Sequence, residues 1–267
     1  MNEREYAQKV AELVGGIVVT SRRNGVMITQ VMIPKEGIQK LYPVGVFMTA
    51  QKSPEWMAGY IRADSAKKED LPDVKWMLKW EEVKQHLKAR LKHRNTEPEV
   101  CRSAREYGLD DLMIEPFVEV DIPGGLVTAE INPEMLNAWN VPAKEVIDIA
   151  LDNIRNDVVI RDMAEQLGEL AAEIGEKYLG ELPEDYPQML IVTNGARRYG
   201  AIAAIFARER LVKHFGTGYT LIPSSLDEMI ALNRRGGWEE MNELVREVNR
   251  DVLEPTEILS THIYEIW

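Results

Sequence analysis

The run Met113-Ile114-Glu115-Pro116-Phe117-Val118-Glu119-Val120-Asp121 decides the fold class. Ile114, Val118 and Val120 fall on one face of an extended chain, and Glu115, Glu119 and Asp121 on the other. That period of two marks a strand with one wet face. Pro123-Gly124-Gly125 turns the chain, and Leu126 to Ile131 forms the partner strand. Asn132-Pro133 then reads as an N-cap and first helical residue, and Pro142 opens a further helix with Val146, Ala150 and Ile154 inward. A hairpin running straight into helices, with no strand–helix alternation, predicts an α+β fold of mostly antiparallel sheets with interleaved amphipathic helices.

Upstream, Tyr6, Val10 and Leu13 share one helical face ending at Gly15-Gly16. The apolar runs 16–20 and 26–33 flank Asn24-Gly25, a hairpin signal. A strand over 42–49 and a helix over 54–61 complete a small unit, and the polar stretch 64–72 marks its boundary. Trp76, Trp80, Val83, Leu87 and Leu91 recur at helical spacing and predict a long helix over 72–93. Another helix is expected over 97–107. Further on, the spacing predicts a helix over 158–179, strands over 189–193 and 199–206 joined through Asn194-Gly195, a helix over 208–215 and a strand over 219–222. A helix over 238–248 and a closing strand over 260–267 end the chain. The expected segments are 1–65, a small α+β unit; 66–110, helical; and 111–267, a larger α+β domain.

The 267 residues carry 44 Asp+Glu against 32 Lys+Arg, a formal charge of -12. Such a surface repels nucleic acid and anionic membranes on average, so contact with either requires a segregated basic patch. One exists: residues 67–94 hold nine basic and five acidic residues. On the expected helix Lys84, Lys88 and Lys92 stand in line, able to meet phosphates or an acidic partner. No signal peptide or 20-residue apolar span is legible, so a cytoplasmic protein without membrane contact is expected.

Most catalytic signatures are missing. One cysteine excludes a disulfide framework and any multi-cysteine metal site. His86 and His93, two helical turns apart, would be about 10 Å from each other and could not share an ion. No phosphate-cradling loop or nucleophile elbow is present. No cofactor and no metal are expected, and no residue is assigned a catalytic role. Asn194, with Arg197 in the same turn, could hold an anion but reads more simply as a hairpin turn. Ser224 and Ser225 attract attention, yet Ser225-x-x-Glu228 spells a capping box. Cys101 reads as a small core residue, and the many carboxylates, Asp110-Asp111 among them, as a solvated surface.

Several spaced motifs agree in order with one family. They are Leu190-Ile191-Val192-Thr193-Asn194, Tyr199-Gly200-Ala201, Ile222-Pro223-Ser224-Ser225 with Glu228, and Val245-Arg246-Glu247-Val248-Asn249 with Glu257-Ile258-Leu259-Ser260 and Tyr264. Asn24-Gly25-Val26, and Leu136-Asn137-Ala138-Trp139 with Ala150 and Asn153, add to them. The chain resembles the bacterial domain-of-unknown-function family numbered fifty-six eighty-eight. That resemblance implies no established activity, and it associates the chain with gut bacteria and their mobile elements.

The leading expectation is a non-enzymatic protein-binding or regulatory module with Trp56, Trp76, Trp80 and Trp139 as candidate anchors. Two alternatives stand beside it. One is a hydrolase or transferase with a site near Asn194, Ser224 and Ser225. The other is a nucleic-acid binder or anti-defence inhibitor acting through the basic helix 67–94.

Overall fold

A computed structural model describes residues 1–23, 26–34, 40–65, 75–122, 125–173, 188–216, 218–233 and 236–267. The chain forms two compact units, Met1–Asp73 with Ile122–Gly125, and Val74–Asp121 with Leu126–Trp267.

In the first unit, helix α1 (Glu3–Val14) starts at a reciprocal cap. The Glu5 amide donates to Asn2 Oδ1 at 2.9 Å, and the Asn2 amide to Glu5 Oε2 at 3.1 Å. Gly15, at φ 69°, ends the helix in the left-handed region. Strands β1 (Ile17–Arg23) and β2 (Val26–Met32) pair antiparallel; the Asn24-Gly25 turn itself lies outside the described residues. The expected 42–49 strand is cut to β3 (Leu41–Pro43), and helix α2 (Val44–Thr49) begins at once. Helix α3 (Pro54–Ser65) closes the unit over a core of Tyr6, Val10, Val31, Met57 and Ile61.

The second unit begins with the largest departure from the sequence reading. Over the described residues 75–93 the expected basic helix does not form, and residues 66–74 lie outside the described residues. A 3₁₀ turn (Lys75–Leu78) and the short helix α4 (Trp80–Val83) lead into strand β4, Leu87–His93. The reason is visible in Leu87-Lys88-Ala89-Arg90-Leu91-Lys92-His93, which alternates. A spacing of four, such as Leu87 to Leu91, satisfies a period of two as well as one of 3.6, and pairing along seven residues of a neighbouring strand settles the choice. The expected 97–107 helix is likewise replaced by a 3₁₀ turn (Arg94–Thr96), strand β5 (Arg102–Ser103) and a second turn (Arg105–Tyr107).

The deciding run forms β6 (Leu112–Ile122), flanked by β4, β5 and β7 (Gly125–Glu130). Its acidic face is not wet throughout: Glu115 is 4% exposed. Helix α5 (Pro133–Trp139) starts as expected, with the Met135 amide donating to Asn132 Oδ1 at 2.9 Å. Helix α6 (Ala143–Ile154) buries Val146, Ala150 and Ile154. Asn153 fastens α6 to the start of β4, its Nδ2 donating to the carbonyls of Lys84 and Leu87.

The expected 158–179 helix divides into strand β8 (Val159–Asp162) and helix α7 (Met163–Glu173). Asp162 Oδ1 accepts from the Ala164 amide at 2.8 Å, an N-cap that stops the strand; residues 174–179 of the expected helix lie outside the described residues. After β9 (Met189–Thr193), the expected 199–206 strand is instead a 3₁₀ turn, Gly200–Ala203, running into α8, Ala204–Phe215. Its run of alanines favours helix and buries against the core. Strands β10 (Tyr219–Pro223) and β11 (Met229–Leu232), helix α9 (Trp238–Asp251) and strand β12 (Tyr264–Ile266) complete the unit.

Ser225 caps no helix, because the next element along the chain is strand β11. The second sheet runs β12-β10-β11-β9-β8. Every pairing whose register is described is antiparallel, so the fold is α+β.

Candidate functional site

One face of β4 and β6 carries charge. Lys88 stands opposite Phe117, Arg90 opposite Glu115 and Lys92 opposite Met113. Arg90 Nε donates to Glu115 Oε2 at 2.6 Å and its Nη2 to Glu130 Oε1 at 2.7 Å. Lys92 Nζ lies 3.0 Å from Glu115 and 2.8 Å from Glu130. Two cations and two anions thus close on each other with Arg90, Lys92 and Glu115 nearly out of water. Burial alone would raise the Glu130 carboxyl; Lys92 and Arg90 hold it below its usual range.

The loop between β9 and the 3₁₀ turn at Gly200 closes over this face. Asn194 locks it from within: its Nδ2 donates to the Arg198 carbonyl at 2.9 Å, and its Oδ1 accepts from the Arg198 amide at 3.1 Å. Arg197 and Tyr199 both take positive φ, 50° and 53°, a strained choice for bulky residues. Asp227 holds the second of them, accepting from the Tyr199 amide at 2.6 Å. The ring of Tyr199 rests on Phe117 with centroids 5.4 Å apart, and the Arg90 guanidinium lies 5.0 Å from its centre. Burial pushes the Tyr199 phenol up, but Arg90, with hydrogen bonds to Thr128 and Arg198, brings it below its ordinary value.

Beside Tyr199 a cleft encloses about 50 Å³, or about 470 Å³ counting its open mouth. Lys88, Glu119, Asp157, Asn194 and Arg198 supply its polar lining, and Phe117, Ile154, Ile202 and Phe206 its apolar walls. Two residues singled out from sequence, Lys88 and Asn194, therefore meet at one place through the tertiary fold. The others do not join them in the lining. Lys84 caps α4 and pairs with Glu81, Lys92 belongs to the buried network, and Arg197 is exposed. Ser224 Oγ donates to Glu228 Oε1 at 3.3 Å, and Ser225 Oγ accepts from the Asp227 amide at 3.1 Å. Both hydroxyls shape the β10–β11 connection that presents Asp227. Glu119, Asp157, Arg198 and Tyr199 complete the lining, and only strand alternation over 87–93 places Lys88 beside Glu119.

A second polar centre lies around Asp111, which is 4% exposed and not part of a solvated surface. Its Oδ1 accepts from Tyr264 Oη at 2.6 Å and its Oδ2 from Ser260 Oγ at 2.8 Å. His93 Nδ1 accepts from the Asn95 amide, leaving Nε2 to face Asp111 Oδ2 at 3.2 Å. His262 touches Asp110 at 3.4 Å and Ser260 at 3.3 Å. Although Asp110, Asp111 and His262 bring ligand atoms within 4.8 Å of one another, both Asp111 oxygens already accept bonds. Ser260 is buried and its hydroxyl donates to Asp111. This centre ties β12 to the start of β6.

On the first unit, α2 and α3 present an aromatic face. Trp56 and Tyr60 stack with planes 7° apart and centroids at 6.0 Å. Phe47 lies 6.0 Å from Trp56 and 5.4 Å from Tyr60, and Lys52 sits 5.1 Å above the Trp56 ring. Trp56 is 48% exposed, Tyr60 45% and Val46 65%. The other anchor candidates differ. Trp139 is buried, its Nε1 donating to the Met77 carbonyl at 2.8 Å, with Trp80 packed on it at 5.6 Å. Trp76 packs on His86.

Among the described residues, no helix is long and apolar enough to cross a membrane. A family model described as "Family of unknown function (DUF5688)" matches residues 20–266. No curated protein and no solved structure matches the chain.

Proposed function

The chain belongs to the DUF5688 family, and we propose that it acts as a non-enzymatic cytoplasmic protein whose first unit docks a protein partner. The observation that carries this reading is the half-exposed Trp56–Tyr60 stack, extended by Val46 and Phe47. Large aromatic rings left in water are costly unless something covers them, and such rings dominate binding energy at protein interfaces. The stacked pair is fixed by Phe47 and gives rigid contact area with little ordering entropy to lose. The occupant is a protein segment offering aliphatic side chains to the rings. The hydroxyls that suggested hydrolysis, Ser224 and Ser225, bond within their own turn.

Photo-crosslinking from position 60 in native cells tests the reading. A single stoichiometric partner is expected, lost in Trp56→Ala while the melting temperature stays within a few degrees. A crosslink to a second copy of the chain, or an unchanged product in Trp56→Ala, overturns it.

A further inference from the structure

The charged face of β4 and β6 joins its charges in pairs, except at one end. Arg90, Lys92, Glu115 and Glu130 are all mutually bonded. The next cation along the strand is Lys88, opposite Phe117, and Glu119 lies two residues beyond Phe117 on the same side. Lys88 and Glu119 are therefore diagonal neighbours, a separation that long side chains readily bridge. No ion pair joins them. Among the described residues neither the Lys88 ammonium nor the Glu119 carboxylate has a hydrogen-bond or ion-pair partner. Both are half-buried and line the cleft beside Tyr199.

Half-buried opposite charges that lie near each other without pairing keep their hydrogen-bonding capacity open to a ligand that carries both signs. The cleft supplies a second pair in the same sense. Arg198 donates to the Leu126 carbonyl, and Asp157 accepts from the Gly195 amide at 2.9 Å, each with capacity to spare. Two cations and two anions give no net attraction for a phosphate dianion or a simple carboxylate. They complement a ligand that carries both signs. The enclosed volume, about 50 Å³, suits one small polar head. Phe206, half-buried above the buried Phe117 and Ile202, stands at the mouth and would take an apolar body.

We propose that this cleft binds a free α-amino acid with an apolar side chain. Its carboxylate faces Lys88 and Arg198, its ammonium faces Glu119 and Asp157, and its side chain lies against Phe206. This site is in the second unit and is independent of the aromatic face on the first.

Calorimetric titration of the full chain with L-leucine and L-phenylalanine tests it. At least one should bind. N-acetyl-leucine, which lacks the ammonium, and leucinamide, which lacks the carboxylate, should each bind at least about tenfold more weakly. Lys88→Met and Glu119→Gln should each cost a similar factor, with unchanged melting temperature in the absence of ligand. Equal binding of the N-acetyl compound, preference for inorganic phosphate, or no heat with any amino acid overturns the proposal. So does binding that survives both substitutions.

Discussion

Arg90 and Glu115 face each other across the β4–β6 ladder and bond at 2.6 Å, both side chains under 10% exposed. The pair does not stand alone, since Glu115 also neutralises Lys92. A buried pair contributes little over an apolar replacement, but removal of one member strands the other. Glu115→Ala leaves Arg90 and Lys92 sharing the more exposed Glu130. The expected loss is about 3–5 kcal/mol in urea unfolding. A loss below about 1 kcal/mol would show that water reaches this network.

Gly200 is fixed by space. A Cβ there would stand 2.3 Å from Thr193 Oγ1, 2.5 Å from the Asp227 carbonyl and 2.7 Å from the Asn194 amide nitrogen. Two of those atoms are backbone and cannot turn aside. Gly200→Ala should cost about 1–3 kcal/mol and displace the loop that holds Tyr199, seen as loss of amide exchange protection at Tyr199.

Tyr199 should ionise more readily than an ordinary tyrosine. Its folded pKa lies below the ordinary 10.0, so the native state favours the phenolate. The associated stabilisation is present above about pH 10 and fades as pH falls through the folded value. Ultraviolet titration of the phenolate band should show an early step that Tyr199→Phe removes. Persistence of that step in the variant would assign it elsewhere.

Tyr264 behaves in the opposite sense. Burial first, then the charge of Asp111 and the bond to it, raise its pKa above 10.0, so the native state holds the proton. That stabilisation is complete below about pH 10 and is lost as pH rises beyond it, when the unfolded chain ionises. Tyr219, pushed up to about 12 by burial, adds to the same trend. Urea midpoints should fall steeply above about pH 10, and less steeply in Tyr264→Phe. Equal slopes in both proteins would refute the assignment.

Local signals in the sequence suffice where one physical rule acts alone. Asn132-Pro133 starts α5 because the cap and the fixed proline φ need no tertiary help. Gly15 ends α1 for a similar reason, since only its backbone takes φ 69° without cost. The alternation over 113–121 yields β6, and from it the α+β class. The spaced motifs identify the family.

Where two periods fit the same letters, the sequence cannot choose. Leu87 and Leu91 suit either helix or strand, and only the free edge of β6 resolves them into β4. That one decision moves Lys92 from an expected exposed stripe into a buried network and sets Lys88 beside Glu119. Asn194 and Lys88 are 106 positions apart, and Asp111 and Tyr264 are 153. No local pattern encodes such meetings. Hydrogen-bond pairing between distant strands is cooperative over whole ladders, so which charges are neutralised and which remain open to a ligand is decided only when the sheet assembles.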